Sequence, residues 1–333
     1  VTHGHTDHAR WGSRHYLTSE RGAAVVRERV GGAKASIETL PYGKTTTING
    51  VRVSLHPAGH ILGSAQVRVE YRGEVWVVSG DYKLGHDPTA DPFEPVRCHT
   101  FVTESTFGLP IFRWKPQSEI FAEINAWWRQ NQERGRASVL FAYVLGKAQR
   151  LLAGVDPSIG PIFVYGAVER FLPLYAAAGV ALPPVRKATV ENVHEARGKA
   201  LIIAPPSVAS TPWLKKFGPV SLAFASGWMT IRGTRRRQAL DRGFVLSDHA
   251  DWPGLNEAVA ATGAERIGVT HGYVGVVTRW FRERGLDAFA LSTRYEGELE
   301  DEPATPEAAT EEVIKAVEGA DEVLPDSDEE RPD

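Results

Sequence analysis

Val1-Thr2-His3-Gly4-His5-Thr6-Asp7-His8 places four side chains that bind metals well within six residues. In an extended segment every second side chain lies on the same face, so we expect His3 and His5 to bind one ion together. The chain is expected to turn at Asp7 and His8, which can then serve a second ion. Imidazole and carboxylate ligands without a thiolate suit divalent cations such as Zn²⁺ or Mn²⁺. The alternative is a surface loop that is merely rich in histidine.

The 333 residues divide by charge into a basic body and an acidic end. Residues 298–333 carry fifteen Asp and Glu against two basic residues, whereas residues 1–297 have a net charge of +10. A basic body favours a polyanionic partner, and the acidic end is too poor in apolar residues to order itself. No run of apolar residues is long enough to span a membrane. Cys98 is the only cysteine, which excludes an intramolecular disulfide and favours a reducing, cytoplasmic location.

The spacing of apolar residues predicts a mixed α/β protein. Strand-like alternation around Asn49-Gly50 and around Arg72-Gly73 predicts two hairpins. From residue 109 onwards, strand-like and helical patterns alternate, which predicts a parallel sheet with helical crossovers. The helical predictions are short pieces over Trp11–Val30, a helix Ser118–Arg134 with Ser118 as N-cap, and a helix Val168–Gly179.

Further candidates for the metal site lie beyond the first motif. His60 occupies a glycine-containing turn just past a predicted strand, and His56 competes with it as a third ligand. Asp81 follows an apolar strand that is expected to be buried. A carboxylate in that position is costly unless it is paired or binds metal, so Asp81 is expected to bridge two ions, the alternative being an ordinary turn aspartate. Arginines at the end of the second α/β unit form a predicted phosphate clamp or, alternatively, a solvated helix start: Arg232, Arg235 and Arg236.

Taken in order, the motifs resemble the β-CASP branch of the metallo-β-lactamase nucleases, most closely the bacterial ligase-associated DNA exonucleases that are similar to mRNA 3′-end processing factors. The resemblance covers residues 1 to about 297 and rests on His3-x-His5-x-Asp7-His8, His60, Asp81, Thr103-Glu104-Ser105-Thr106, Leu145-Gly146-Lys147-Ala148-Gln149, Ser247-Asp248-His249-Ala250-Asp251 and Thr270-His271-Gly272. It implies an α/β fold, a metallo-β-lactamase αββα sandwich with an inserted β-CASP α/β domain. Because only two residues precede the first motif, we expect the N-terminal strands of that sandwich to be missing. The implied divisions are 1–108 and 244–297 for the two parts of the metallo-β-lactamase domain, 109–243 for the β-CASP domain and 298–333 for a disordered acidic tail.

The resemblance also implies a set of site residues around two divalent metal ions. The implied ligands are His3, His5 and His60 for the first ion, Asp7, His8 and His271 for the second, and Asp81 as the bridge. His60 is preferred to His56 because its Gly-His-x-x-Gly-Ser setting is similar to the third motif of the superfamily. The implied catalytic residues are Asp7, Glu104 and His249, with His249 as a general acid polarised by Glu104. Lys147, where relatives often have arginine, is implied to contact phosphate.

The implied function is an exonuclease-like enzyme of DNA repair that cleaves single-stranded DNA, with a hydroxide held between two metals as the nucleophile. An RNase of the same family is the first alternative, because the sequence shows nothing that reads a 2′-hydroxyl. A thioester or lactam hydrolase shares the metal motif but leaves Glu104, His249 and the large insert unexplained. A silent binding scaffold is disfavoured because every ligand position is filled. The expected partners are single-stranded nucleic acid and, through the resemblance, a DNA ligase.

Overall fold

The structure is a computed structural model that describes residues 1–31, 35–231, 233 and 240–292. The strands are β1 His15–Ser19, β2 Ser36–Leu40, β3 Thr45–Ile48, β4 Val51–Pro57, β5 Ala65–Tyr71, β6 Glu74–Val78, β7 Thr100–Ser105, β8 Ala137–Phe141, β9 Ile162–Val164, β10 Arg186–Lys187, β11 Leu201–Ala204, β12 Val220–Ala225, β13 Arg242–Phe244, β14 Arg266–Gly272 and β15 Asp287–Ala290. The α-helices are α1 Ala23–Val30, α2 Gln117–Glu133, α3 Lys147–Gly154, α4 Gly166–Glu169, α5 Leu172–Ala177, α6 Trp252–Thr262 and α7 Val274–Glu283. Within the described residues the strands form sheets of two, six and seven strands.

Two tight turns build the antiparallel half of the seven-stranded sheet. Asn49 and Gly50 both have positive φ, and so do Arg72 and Gly73, which is the turn geometry that matches the twist of the flanking strands. The first turn joins β3 to β4 and the second joins β5 to β6, with antiparallel pairing in both cases. Both predicted hairpins are confirmed.

The other half of this sheet is parallel and places two site residues at one edge. β6, β7, β14 and β15 pair in parallel, and every residue of β7 is buried. Helices α6 and α7 contribute to the same apolar core as Phe101 of β7 and Ile267 and Val269 of β14. Parallel neighbours end at the same edge of a sheet, and Glu104 of β7 is in register with Thr270 of β14. His271 follows directly, so these two strands deliver Glu104 and His271 to one place.

The six-stranded sheet lies between residues 137 and 244 and has the order β10-β9-β11-β8-β12-β13. All its strand pairs are parallel, so the parallel sheet predicted from alternating patterns is confirmed. Apolar side chains of α2 and α3 pack against it, including Ile124, Trp128 and Leu151. β13 crosses the predicted boundary between residues 243 and 244 and pairs with β12, so this strand belongs to the six-stranded sheet. The division into domains otherwise stays a prediction.

Some local predictions are wrong for identifiable reasons. The segment before residue 23 contains the strand β1, whose buried and exposed side chains largely alternate, and α1 begins only at Ala23. Ser118 is no N-cap, since α2 already begins at Gln117 after Pro116 and no side chain caps it. The predicted helix over 168–179 is split into α4 and α5, with Pro173 in the first turn of α5, where its missing N–H is tolerated.

The described residues confirm a mixed α/β protein, while the metallo-β-lactamase sandwich with an inserted β-CASP domain stays a proposal. Among these residues no helix is both long and apolar enough to cross a membrane. The predicted phosphate clamp of Arg232, Arg235 and Arg236 lies outside the described residues, as does the acidic end over 298–333.

Candidate metal centre

The first motif folds as a tight turn. The backbone N–H groups of His8 and Ala9 both donate to the carbonyl oxygen of His5, at 3.2 and 2.8 Å, and the chain already bends at Gly4. The turn expected at Asp7 and His8 is confirmed, whereas the extended segment expected for His3 and His5 is interrupted by the bend at Gly4. The two imidazoles meet nonetheless, with His3 Nε2 and His5 Nδ1 3.1 Å apart.

His60 joins these two rings from the loop between β4 and β5. Its Nε2 lies 3.1 Å from His5 Nδ1, and the ring is buried. Gly63 has φ +73°, and a Cβ there would lie 2.2 Å from the backbone of Gly22, so only glycine permits this path of the loop. The competing His56 contacts side chains of β4 and of residue 94 instead. The structure thus brings His60, and not His56, to the first motif.

Each of these rings has its outward nitrogen held. His5 Nε2 donates to the Leu145 carbonyl oxygen at 3.1 Å, and His60 Nδ1 donates to the Asp248 carbonyl oxygen at 2.8 Å. Such contacts fix the tautomer, so the inward nitrogen keeps its lone pair for a cation. Burial lowers the pKa of all three histidines, that of His60 to about 3. The rings are therefore neutral, as metal ligation requires.

The inward atoms fit a divalent cation. Their spacing of 3.1 Å is close to the roughly 3.3 Å between two nitrogens that each lie roughly 2.05 Å from a tetrahedral zinc. Asp81 adds an anionic ligand, since its Oδ2 is 3.4 Å from His3 Nε2 and 3.7 Å from His60 Nε2. Burial acts to raise the pKa of Asp81, but the neighbouring imidazoles of His8 and then His3 lower it well below its ordinary value. The ligand atoms of this group lie within 4.8 Å of one another.

Asp81 also borders a second group of ligands. The same Oδ2 is 3.5 Å from His8 Nε2, and His8, Asp81 and His271 offer ligand atoms within 4.8 Å of one another. Asp7 Oδ2 lies 3.3 Å from His8 Nε2, and Asp7 is grouped with His3 and His8 rather than with His271. Asp81 therefore lies between two groups of candidate ligands, as a bridging residue would. The predicted second set of Asp7, His8 and His271 does not form a single cluster.

A bulge at the end of β14 aims His271 at this second group. The pairing of β14 with β7 shifts between Thr270 and Gly272, and His271 has φ +53°, which is uncommon for a residue with a Cβ. The Ser105 hydroxyl donates to the His271 carbonyl oxygen, and a Cβ on Gly272 would lie 2.4 Å from the Ser105 carbonyl oxygen. Bulges of this kind redirect a side chain next to a functional site.

Thr2 makes a contact that the sequence did not predict. Its Oγ1 lies 3.2 Å from His3 Nδ1 and 2.9 Å from His8 Nδ1. A hydroxyl oxygen has two lone pairs and can accept from both rings, which leaves both Nε2 atoms facing Asp81. One hydroxyl thus orients one ring of each ligand set. In the sequence, the position of Thr2 directly before His3 was the one feature that could have indicated this role.

Glu104 and His249 form a pair beside Asp81. His249 Nδ1 lies 3.0 and 2.9 Å from the two Glu104 carboxylate oxygens, and the Trp114 indole donates to the His249 carbonyl oxygen at 2.9 Å. Burial acts to lower the pKa of His249, but the charge and the hydrogen bond of Glu104 raise it well above its ordinary value. A protonated imidazole held through Nδ1 has Nε2 to offer as a general acid.

Lys147 is buried, which does not support the expected phosphate contact. Its Nζ is 3.1 Å from Asp248 Oδ1, and its side chain is only 4% exposed. It begins α3 two residues after Leu145. The Leu145 carbonyl oxygen accepts from His5, and the Asp248 carbonyl oxygen accepts from His60. The ion pair joins the two segments that orient these ligands.

The chain is similar to parts of several longer known proteins. No family model matches the chain. A "Probable DNA ligase" from Opitutus terrae is 32% identical over 302 residues, which is 90% of this chain and 29% of that protein. "Endoribonuclease ysh-1" from Neurospora crassa is 30% identical over 148 residues, 44% of this chain and 17% of that protein. "Cleavage and polyadenylation specificity factor subunit 3" from Dictyostelium discoideum is 27% identical over 147 residues, 44% of this chain and 18% of that protein. The chain thus spans less than a third of the length of each.

A solved structure resembles the fold. It is the crystal structure of a protein of unknown function from Enterococcus faecalis V583. The match covers 89% of this chain and 79% of the chain in that structure, with a TM-score of 0.59 and 10% sequence identity. At this identity the likeness concerns the fold alone. The curated relatives support the superfamily that the motifs indicate, the metallo-β-lactamase superfamily with its β-CASP nucleases, without deciding between its branches.

Proposed function

We propose that this chain is a metal-dependent nuclease that cleaves single-stranded DNA. The observation that supports it most is the position of Asp81, whose Oδ2 borders two groups of histidines and whose carboxylate also lies with Glu104 and His249. Two ligand sets that share one carboxylate suit a pair of divalent cations. A proton donor directly beside them suits the cleavage of a phosphodiester.

The proposed ligands are the residues predicted from the sequence: His3, His5, His60, Asp7, His8, His271 and Asp81. Two divalent cations held there, Zn²⁺ or Mn²⁺, would supply an activated water and offset the negative charge of the phosphate. Asp81 holds a fixed negative charge between the two sets. Thr2 and the carbonyl oxygens of Leu145 and Asp248 keep the rings in position.

His249 takes the role of the general acid in this proposal. Its raised pKa keeps the ring protonated near neutral pH, and Glu104 holds it through Nδ1. As the oxygen of the attacking water forms its bond to phosphorus and the bond from phosphorus to the 3′-oxygen breaks, Nε2 gives its proton to that departing oxygen. The products are a 3′-hydroxyl and a 5′-phosphate.

The proposed substrate is DNA because a similarity over 90% of this chain is to a protein named a probable DNA ligase. The same similarity supports a functional link to a DNA ligase and, with it, a role in DNA repair. An RNA-processing nuclease is the second candidate, because several relatives are named endoribonucleases.

The test compares two labelled single strands of one sequence, one DNA and one RNA, with Zn²⁺ or Mn²⁺. We expect the DNA to be cleaved faster, and we expect Asp81→Asn to abolish cleavage, since a neutral amide is a poor bridge between cations. Asp156→Asn is the matched control, because the Asp156 side chain is partly exposed and pairs with Arg129. Cleavage of RNA alone would favour the second candidate, and full activity of Asp81→Asn would remove Asp81 from the site.

A further inference from the structure

An exposed tryptophan lies on a short loop directly after the metal-binding turn. Residues 10–15 are all exposed, and Trp11 has 84% of its surface accessible. Tryptophan is large and is on average highly buried; Tyr71, another exposed aromatic residue, has 49% accessible. A ring presented so completely calls for a physical reason.

The loop is anchored at both ends, so the exposure of Trp11 does not come from an unsupported chain. Ala9 and Tyr16 are buried in one apolar cluster. The Tyr16 hydroxyl donates to the Arg10 carbonyl oxygen at 2.6 Å and accepts from the Ser13 N–H at 3.0 Å. These contacts fix the path of the loop from beneath and leave the indole on the outside.

The charges beside the ring indicate what it binds. Arg10 and Arg14 are both exposed, and the sequence has no acidic residue between Asp7 and Glu20. An exposed aromatic ring that two exposed arginines flank in the sequence matches a chain of bases and phosphates, since bases stack on aromatic rings and arginines bind phosphate oxygens. The loop therefore has the chemistry of a contact for single-stranded nucleic acid.

The loop also lies in the right place. Trp11 follows His8 by three residues, so the two Cα atoms are at most about 11 Å apart. His8 Nε2 is 3.5 Å from Asp81 Oδ2, which is the centre of the proposed site. A base next to the phosphate at Asp81 is within reach of the indole.

We propose that Trp11 stacks on a base of the single-stranded substrate near the scissile phosphate and that Arg10 and Arg14 contact its backbone. The inference rests on the nuclease function proposed above. Because every base has a π face, this contact tolerates any sequence. The competing explanation for the exposed ring is a docking point for a protein, which would leave the affinity for nucleic acid unchanged.

The test measures how tightly the full chain binds a labelled oligodeoxyadenylate. Its phosphorothioate linkages resist hydrolysis, so that binding is measured without cleavage. Loss of one stacked base predicts that Trp11→Ala weakens binding by about 5- to 150-fold, whereas Trp11→Phe keeps most of the affinity. Tyr71→Ala is the matched control, because this exposed ring lies at a hairpin away from the site, and it should bind like the unmodified chain. The logarithm of the association constant falls as the logarithm of the salt concentration rises. Replacing Arg10 and Arg14 with Gln should make this negative slope shallower by about 1 to 2.

A scan with single abasic nucleotides makes the test specific. At one position, removing the base should weaken binding to the unmodified chain by as much as Trp11→Ala weakens binding of the intact oligonucleotide. Removing the same base should not weaken binding to the Trp11→Ala variant any further. Identical abasic profiles for the two proteins, or unchanged affinity of Trp11→Ala, would overturn the stacking contact. Metal content and cleavage of the unmodified chain are measured on the same preparation: if it binds metal and cleaves DNA while Trp11→Ala binds normally, only the stacking contact fails. If the unmodified chain neither binds nor cleaves a single strand, the proposed function fails with it.

Discussion

Replacing Thr2 with Val keeps the shape of the side chain and removes the one oxygen that accepts from a ring in each ligand set. The Thr2 hydroxyl lies 3.2 Å from His3 Nδ1 and 2.9 Å from His8 Nδ1. Each hydrogen bond contributes about 0.5–1.5 kcal/mol, so losing both amounts to about 1–3 kcal/mol. That corresponds to a metal affinity lower by about 5- to 150-fold, in the range found when an outer contact of a ligating histidine is removed.

The assay is a competition titration of Zn²⁺ against a chromophoric chelator, which reports affinity without relying on turnover. Thr2→Ser restores the hydroxyl and should restore binding. Thr6→Val is the matched control, because Thr6 belongs to the same motif but is exposed. If Thr2→Val binds Zn²⁺ as tightly as Thr6→Val does, the hydroxyl does not orient the ligands and the reasoning is refuted.

Three further predictions concern the proton donor and the bulge. His249→Ala should keep its metals, measured by elemental analysis, and lose about 10²–10⁴-fold in cleavage rate; the loss should be much smaller on a nitrophenyl phosphodiester, whose leaving group needs no proton, and metal loss would make His249 a ligand instead. The protonated form of His249 is the proposed acid, so activity should fall as the pH rises through the pKa of His249. Because Glu104 raises that pKa, Glu104→Gln should move the alkaline limb of the pH–rate profile to lower pH. An unmoved limb would show that Glu104 does not set the pKa of the catalytic acid. Gly272→Ala should destabilise the fold more than Gly285→Ala in thermal unfolding, because both glycines have positive φ but only Gly272 meets backbone, at 2.4 Å; equal losses would contradict the close approach.

Local chemistry in the sequence was enough to predict part of the fold. Asn49-Gly50 and Arg72-Gly73 fix hairpins through positive φ, and that preference belongs to the residues themselves. The alternation of strand and helix after residue 109 likewise predicted the parallel sheet. The break near Pro173 was not predicted, although proline inside a helical pattern often marks the start of a new helix.

What the sequence could not give depends on contacts between distant segments. The extended segment expected for His3 and His5 bends at Gly4, which a two-residue periodicity does not predict. Lys147 is buried because Asp248 comes to meet it, and a motif alone does not show such a partner. Thr2 gains its role only where two rings converge on its hydroxyl.

The central claim is that a metal site formed around Asp81 cleaves nucleic acid. The most direct measurement adds Zn²⁺ or Mn²⁺ stepwise to metal-free protein and follows cleavage of a labelled single-stranded DNA. Cleavage should rise until about two ions are bound per chain, as two ligand sets require, and a chelator should abolish it. Cleavage that persists in the chelator, or the absence of cleavage at full metal loading, would contradict the account.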